Sequence, residues 1–263
     1  MKVVILCGGQ GMRLREETEF RPKPLVEIGG RPILWHIMKH YASFGHREFI
    51  LCLGYKGEMI KHYFLNYHLL NSTFSVDLGS EPRLDLHEAA LQEDWRVTLV
   101  DTGRDALTGA RLKRIERFVE GGQFLMTYGD GVSDVDLDRL VDCHARAGRL
   151  ATVTGVYPPA RFGELVSQGD RVLEFREKPQ TRQGRISGGF FVLDRAVFDY
   201  LSDQDACNFE RGPLASLAAE GQLTLYEHDG FWQCMDTYRD LVLLNELWDS
   251  GSPPWVREDG GRP

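Results

Sequence analysis

The feature that most constrains this chain is its beginning. Residues 3–7, Val-Val-Ile-Leu-Cys, form a short apolar run that breaks into Gly8-Gly9-Gln10-Gly11-Met12-Arg13. A buried strand ending in a glycine turn lets backbone N–H groups approach a polyphosphate, and a following helix N-terminus adds positive potential. Arg13 offers a planar fork of donors suited to phosphate oxygens. Arg21-Pro22-Lys23-Pro24 then places a second cationic pair, stiffened by two prolines. The combination is far more informative than a glycine turn alone.

The same spacing excludes two common glycine motifs. No Lys-Ser or Lys-Thr follows the glycines, so this is not a P-loop. Leu14 stands where the third glycine of a dinucleotide fingerprint belongs, which disfavours an NAD(P)-dependent oxidoreductase. The net charge of −8 disfavours nucleic acid as a partner, because that binding replaces counterions with a basic surface. An acidic protein that takes anionic substrates must concentrate its cations locally or use a metal. No apolar run approaches the roughly 20 residues of a membrane span, so no membrane partner is expected. The first residues also lack a signal-peptide pattern. Cys7, Cys52, Cys143, Cys207 and Cys234 are scattered, odd in number and free of C-x-x-C, as expected for reduced thiols in a cytoplasmic protein.

Strand-like runs alternate with helix-like stretches. Strands are expected at 3–6, 48–53, 97–100, 124–127 and 151–156, and helices at 57–67, 108–119 and 137–147. Ile33, Leu34, Ile37, Met38 and Tyr41 recur at helical spacing after Pro32. His36 and His40 lie four apart on that helix, lack a metalloprotease carboxylate, and read as partly exposed. This order predicts an α/β fold, a Rossmann-like three-layer sandwich with a mixed, mostly parallel sheet. After residue 157 the short runs 164–166, 172–176 and 190–193 suggest antiparallel additions to that sheet. One domain over 1–250 is expected, ending in a helix at 241–248. Residues 68–95 are irregular and polar with short extended pieces, as in a functional segment or an oligomerisation arm. Residues 251–263 read as a mobile tail.

Asp130 lies between two glycines after an expected central strand, at the sheet edge where open α/β proteins bind ligands. A carboxylate there can hold Mg²⁺ beside nucleotide phosphates; the composition alone also suits a plain turn. Asp236, just before the last helix, reads first as an N-cap and becomes a metal ligand only as a partner to Asp130. Lys178 in Glu177-Lys178-Pro179 is either a surface ion-pair residue or a lysine held well by its proline. Arg161-Phe162-Gly163 and Ser187-Gly188-Gly189 are close-approach sites or turns. Thr108-Gly109-Ala110-Arg111 opens a helix and can present amides to a base or phosphate, with capping as the alternative. Nothing resembles a Ser-His-Asp or Cys-His nucleophile site, and Cys7 reads as core.

Taken together, these residues resemble the sugar-phosphate nucleotidylyltransferases over residues 1 to about 256. The glycine turn with Arg13, Pro22-Lys23-Pro24, Gly129-Asp130-Gly131 and Glu177-Lys178-Pro179 match that family's motifs. Longer stretches, such as residues 26–39, 127–132, 188–193 and Gly230-Phe-Trp-Gln233, are similar to members that take CTP and glucose 1-phosphate. The resemblance implies Mg²⁺-dependent, in-line nucleotidyl transfer giving CDP-glucose and pyrophosphate, for deoxysugars of surface polysaccharide. Arg13, Lys23 and Asp130 would be catalytic. Leu6, Gly8, Gly9, Gln10, Gly11, Met12, Thr108, Gly109, Arg111 and Gly129 would bind the nucleotide with Arg13 and Lys23. Lys178, Glu177, Gly163 and Gly189 would hold the sugar phosphate, and Asp130 and Asp236 the Mg²⁺. A homo-oligomer is expected. Met12 and Arg21 depart from the family's usual Thr and Lys. Use of UTP or dTTP, or a catalytically silent nucleotide-sugar binding protein, remain the alternatives.

Overall fold

The computed structural model describes residues 1–80, 83–88, 93–158, 164–168, 171–176 and 184–257. The apolar runs read from the sequence become the centre of one sheet. Its strands are β1 (Lys2–Leu6), β2 (Glu48–Leu53), β3 (Arg96–Asp101), β4 (Gln123–Tyr128), β5 (Ala151–Val156), β6 (Ile186–Asp194) and β7 (Leu223–Glu227). Their spatial order is β7-β5-β6-β4-β1-β2-β3. β4, β1, β2 and β3 run parallel, as do β5 and β7, whereas β6 is antiparallel to both of its neighbours.

Strands buried on both faces need cover on both. Val3 and Ile5 point to one layer, with α1 (Ile33–Ser43) and the last helix; Val4 and Leu6 point to the other, with α3 (Thr108–Arg114). The remaining principal helices are α2 (Gly57–Leu65), α4 (Leu137–Ala147), α5 (Pro213–Ala219) and α6 (Tyr238–Asp249). The three-layer expectation therefore holds.

Several local expectations change. The helix expected over 108–119 stops at Arg114 and ends in a tight turn, Glu116–Phe118. Of the runs expected to extend the sheet antiparallel, only β6 does so; Glu164–Gln168 and Arg171–Arg176 pair with each other as a separate hairpin. Within 68–95, Thr73–Asp77 and Arg83–Glu88 form a second hairpin. Its opposed pairs Phe74 with Leu86 and Val76 with Leu84 leave four apolar side chains exposed. The segment 251–263, expected as a mobile tail, is anchored at its start. Trp255 is 2% exposed, stacks on Phe231 and donates its indole N–H to His36 Nδ1 at 3.3 Å. A large aromatic in a polar tail finds this burial against α1, and residues 258–263 lie outside the described set.

His36 and His40 are not partly exposed but buried, at 1% and 6%. Nε2–H of each donates to a backbone carbonyl, Ile28 at 2.9 Å and Val135 at 3.0 Å. For His36 the Trp255 N–H also fixes Nδ1 as the acceptor, so the ring has no place for a second proton. Burial pushes both imidazoles down to about 4. Unfolded histidine takes its proton near pH 6.5. Between pH 6.5 and 4 the unfolded chain therefore binds more protons, and folding stability falls as pH drops. The loss is up to about 1.4 kcal/mol per pH unit per histidine. Urea unfolding at pH 7, 6 and 5 should show this slope, and a His36→Phe variant should have a shallower one.

Candidate active site

The site lies at the carboxyl edge of the parallel strands. β1 and β4 are neighbours, so the loops that follow them emerge side by side; Gly129 N–H donates to Leu6 O at 3.1 Å. That adjacency brings the glycine turn and Asp130 together. Gly11 takes a left-handed φ of 63°, and a Cβ there would meet Thr18 Cγ2 at 2.7 Å. Chain direction reverses over this residue, and Thr18 Oγ1 donates back to Gly11 O at 3.1 Å. No long helix follows the turn. A single turn at Met12–Leu14 leads into the four-residue Arg15–Thr18, which the Arg21-Pro22 stretch keeps from continuing. Positive charge comes from side chains here, not from a helix dipole.

Lys23 begins a short turn, Lys23–Leu25, between two prolines, and its side chain is only 10% exposed. Its ammonium donates to Asp130 Oδ2 at 2.7 Å and to Asp236 Oδ1 at 2.6 Å. Arg13 is 69% exposed yet reaches Asp236 Oδ2 at 2.8 Å. Asp236 arrives by a long-range device. Trp232–Cys234 pairs antiparallel with Gly131–Ser133, and Met235 N–H donates to Asp130 O at 2.8 Å. The expected N-cap role falls to Thr237 instead, which forms a reciprocal capping box with Asp240. Asp236 is thereby free to face Lys23. Burial alone would lower the Lys23 ammonium, but the Asp130 carboxylate outweighs it and the group is held above its ordinary value. Burial would raise Asp236; the hydrogen bond from Lys23 reverses that, and Arg13 assists. Cys234 completes the cluster, its ligand atom within 4.8 Å of those of Asp130 and Asp236. Burial, then Asp130, pushes its thiol well up, so it stays protonated.

Two clefts meet at this cluster. The larger, of about 510 Å³, is bordered by Leu6, the glycine turn, Met12, Ala106–Thr108, Gly129 and Asn208. The smaller, of about 250 Å³, is bordered by Gly131, Ser187–Gly189, Trp232 and Cys234. Arg13, Tyr128 and Asp130 line both. Gly189 has φ 80°, and a Cβ there would meet Tyr128 Cδ2 at 2.6 Å, so glycine keeps this wall open.

Other expected contacts are placed differently. Gln10 is on the exposed turn but does not border either cleft. Arg111 borders the larger cleft, yet its guanidinium donates to Gly8 O, Leu53 O, Gly103 O, Arg104 O and Thr102 Oγ1. It holds three loops to one another and has its donors engaged by the protein. Thr108 Oγ1 donates to Glu210 and accepts from Phe209 N–H, while Gly109 packs on Cys207. Arg21 faces Glu17 and Glu27 away from the clefts. Gly163, Glu177 and Lys178 lie outside the described residues. Sequence reasoning passed over Tyr128 and Cys234; the only signal for either was adjacency to Asp130 and Asp236.

Gly8 touches this arrangement most tightly. A Cβ on it would lie 2.2 Å from the Arg111 guanidinium, which cannot move without dropping its acceptors. Gly8→Ala is expected to cost about 1–3 kcal/mol through such overpacking. Thermal unfolding checks it; an unchanged melting temperature would mean Arg111 is more yielding than its contacts suggest.

The edge of the parallel strands thus carries two joined clefts with paired cations and carboxylates at the join. The chain belongs to the nucleotidyl transferase family, whose description matches residues 2–242. It is 51% identical over 258 residues to a glucose-1-phosphate cytidylyltransferase from Salmonella typhi, covering 97% of this chain and 98% of that one. A glucose-1-phosphate cytidylyltransferase from Salmonella typhimurium is 51% identical with the same coverage. The fold is also that of HddC from Yersinia pseudotuberculosis, with a TM-score of 0.66 at 22% identity, covering 94% of this chain and 99% of that one.

Proposed function

We propose that this chain joins CTP and α-D-glucose 1-phosphate to give CDP-glucose and pyrophosphate. The observation that carries the reading is the meeting of two clefts at Lys23, Asp130, Asp236 and Arg13, in a chain similar over nearly its full length to cytidylyltransferases. The larger cleft takes the nucleotide and the smaller the sugar phosphate. A phosphate oxygen of the sugar attacks the α-phosphorus, the bond to the β-phosphate breaks, and pyrophosphate leaves. Catalysis of this kind rests on positioning and charge neutralisation. Lys23 meets the α-phosphate where the clefts join, and exposed Arg13 takes the departing phosphates. Gly189 leaves space for the sugar against Tyr128; Lys178, Glu177 and Gly163 are assigned to the sugar phosphate from their motifs alone.

The oxygen-rich pair Asp130 and Asp236 fits a hard divalent ion such as Mg²⁺, for which the sulfur of Cys234 beside them is a poorly matched soft donor. Bound there, Mg²⁺ would neutralise charge on the reacting phosphates. CDP-glucose would supply deoxysugar synthesis for surface polysaccharide. We also propose that the exposed apolar face of the hairpin at 73–88 packs against a second copy of the chain, as a homo-oligomer; light scattering before and after deletion of the hairpin tests this. A cytoplasmic location accords with the scattered free cysteines, and among the described residues no helix is long and apolar enough to cross a membrane.

The test is pyrophosphate release with Mg²⁺ and glucose 1-phosphate across CTP, UTP, dTTP, ATP and GTP. Release with CTP well above the rest is expected. Release with UTP or dTTP instead would keep the chemistry and move the base preference. CTP binding without release would indicate a silent binding protein.

A further inference from the structure

The position between the two carboxylates is filled by a side chain of the protein itself. Lys23 Nζ lies 2.7 Å from Asp130 Oδ2 and 2.6 Å from Asp236 Oδ1, while Arg13 takes the other oxygen of Asp236 at 2.8 Å. Two positive charges therefore balance two negative ones. One candidate ligand atom from each of Asp130, Cys234 and Asp236 lies within 4.8 Å of the others. A divalent cation that bridged the carboxylates would have to take the place of the ammonium.

We infer that Lys23 is a displaceable counter-ion of the metal position, so that the divalent cation enters with the nucleotide and not ahead of it. This rests on the reading of Asp130 and Asp236 as metal ligands. Adding a divalent ion while both cations stay would leave uncompensated positive charge in a half-buried site. Breaking both ion pairs with nothing to replace them would leave an ammonium desolvated and unpaired, which is costly. A triphosphate removes both obstacles, because its oxygens give Lys23 and Arg13 new anionic partners. The side chain can make the exchange. Its backbone is fixed by Pro22 and Pro24, but four flexible methylenes separate it from the ammonium. Nucleotide and cation then raise each other's affinity by the same factor.

The probe is Mn²⁺ alone, without nucleotide, with free Mn²⁺ read by electron paramagnetic resonance. Wild-type protein is compared with Lys23→Met, Lys23→Gln, Lys56→Met and the Asp130→Asn/Asp236→Asn double variant, each checked for a cooperative melt. Lys56 is a charge control, because its ammonium caps the carbonyl of Glu19 away from the carboxylates. Both Lys23 variants should bind Mn²⁺ at least about tenfold more tightly than wild type, within the usual range of about 5–150-fold for a coupling of this sort. The Lys56 variant should match wild type, and the double variant should not bind. Wild-type binding as tight as that of the Lys23 variants, or an equal gain in the Lys56 variant, overturns the inference while leaving the metal reading intact. Failure of both Lys23 variants to bind Mn²⁺ overturns the metal reading itself, and the inference with it.

Discussion

Lys23→Met should lower kcat/KM by about a thousandfold while leaving a folded protein. The substitution keeps an unbranched side chain of similar bulk and removes the ammonium that faces Asp130 and Asp236. Losing one preorganised donor to developing charge costs about 2.7–4 kcal/mol in transition-state stabilisation. The ammonium supplies a full charge as well as hydrogen bonds, which places the effect at the upper end of that range. On the proposed mechanism Lys23 meets the reacting phosphate where the clefts join, so the loss should appear in kcat more than in the KM for either substrate. Steady-state pyrophosphate release on the purified variant measures it. Near-normal turnover would remove the lysine from the chemistry and leave Arg13 as the principal cation.

The second large effect is expected at Asp236. Asp236→Asn preserves shape, removes one carboxylate, and takes charge-assisted partners from both Lys23 and Arg13. A loss of about a hundredfold in kcat is expected, by analogy with other single electrostatic groups, together with a shift of the Mg²⁺ dependence to higher concentration. Stability should fall only through the weakened pairs with Lys23 and Arg13, because the start of α6 stays capped by Thr237 and Asp240. Thr237→Ala is the contrast: it should cost about 0.5–2 kcal/mol of stability, as lost caps do, with a far smaller effect on turnover. If Asp236→Asn instead lowered the melting temperature and left kcat alone, its carboxylate would serve only to hold Lys23 and Arg13 in place.

How much of this was visible in the chain depended on how local each signal was. The glycine turn, Arg13 and Asp130 were legible because each follows the end of a buried strand and strand ends point to one edge, and Lys23 because two prolines flank it. Asp236 was ambiguous, since what decides its role is a ladder between residues 131–133 and 232–234, and no local pattern encodes that pairing. The same blindness affected Arg111. At the start of a helix it looked like a ligand residue; only the folded loops show that its donors are consumed by carbonyls from residues 8, 53, 103 and 104. His36 and His40 looked half-exposed because the apolar stripe of α1 appeared one-sided. His36 is covered by Trp248 and Trp255, more than 200 positions downstream, and His40 by Phe190 and the Val135 carbonyl. The antiparallel β6 was expected in kind, whereas the hairpin at 164–176 was assigned to the wrong sheet, because alternation marks a strand without naming its neighbour.

The Arg111 clamp also bears on how such a protein could be redesigned. One guanidinium ties the floor of the larger cleft to backbone oxygens on three separate loops, so that floor behaves as a fixed template. A laboratory search for variants accepting a different base would gain little from randomising residues 8 or 111. Variation is better directed to Leu107, which borders the same cleft and is exposed.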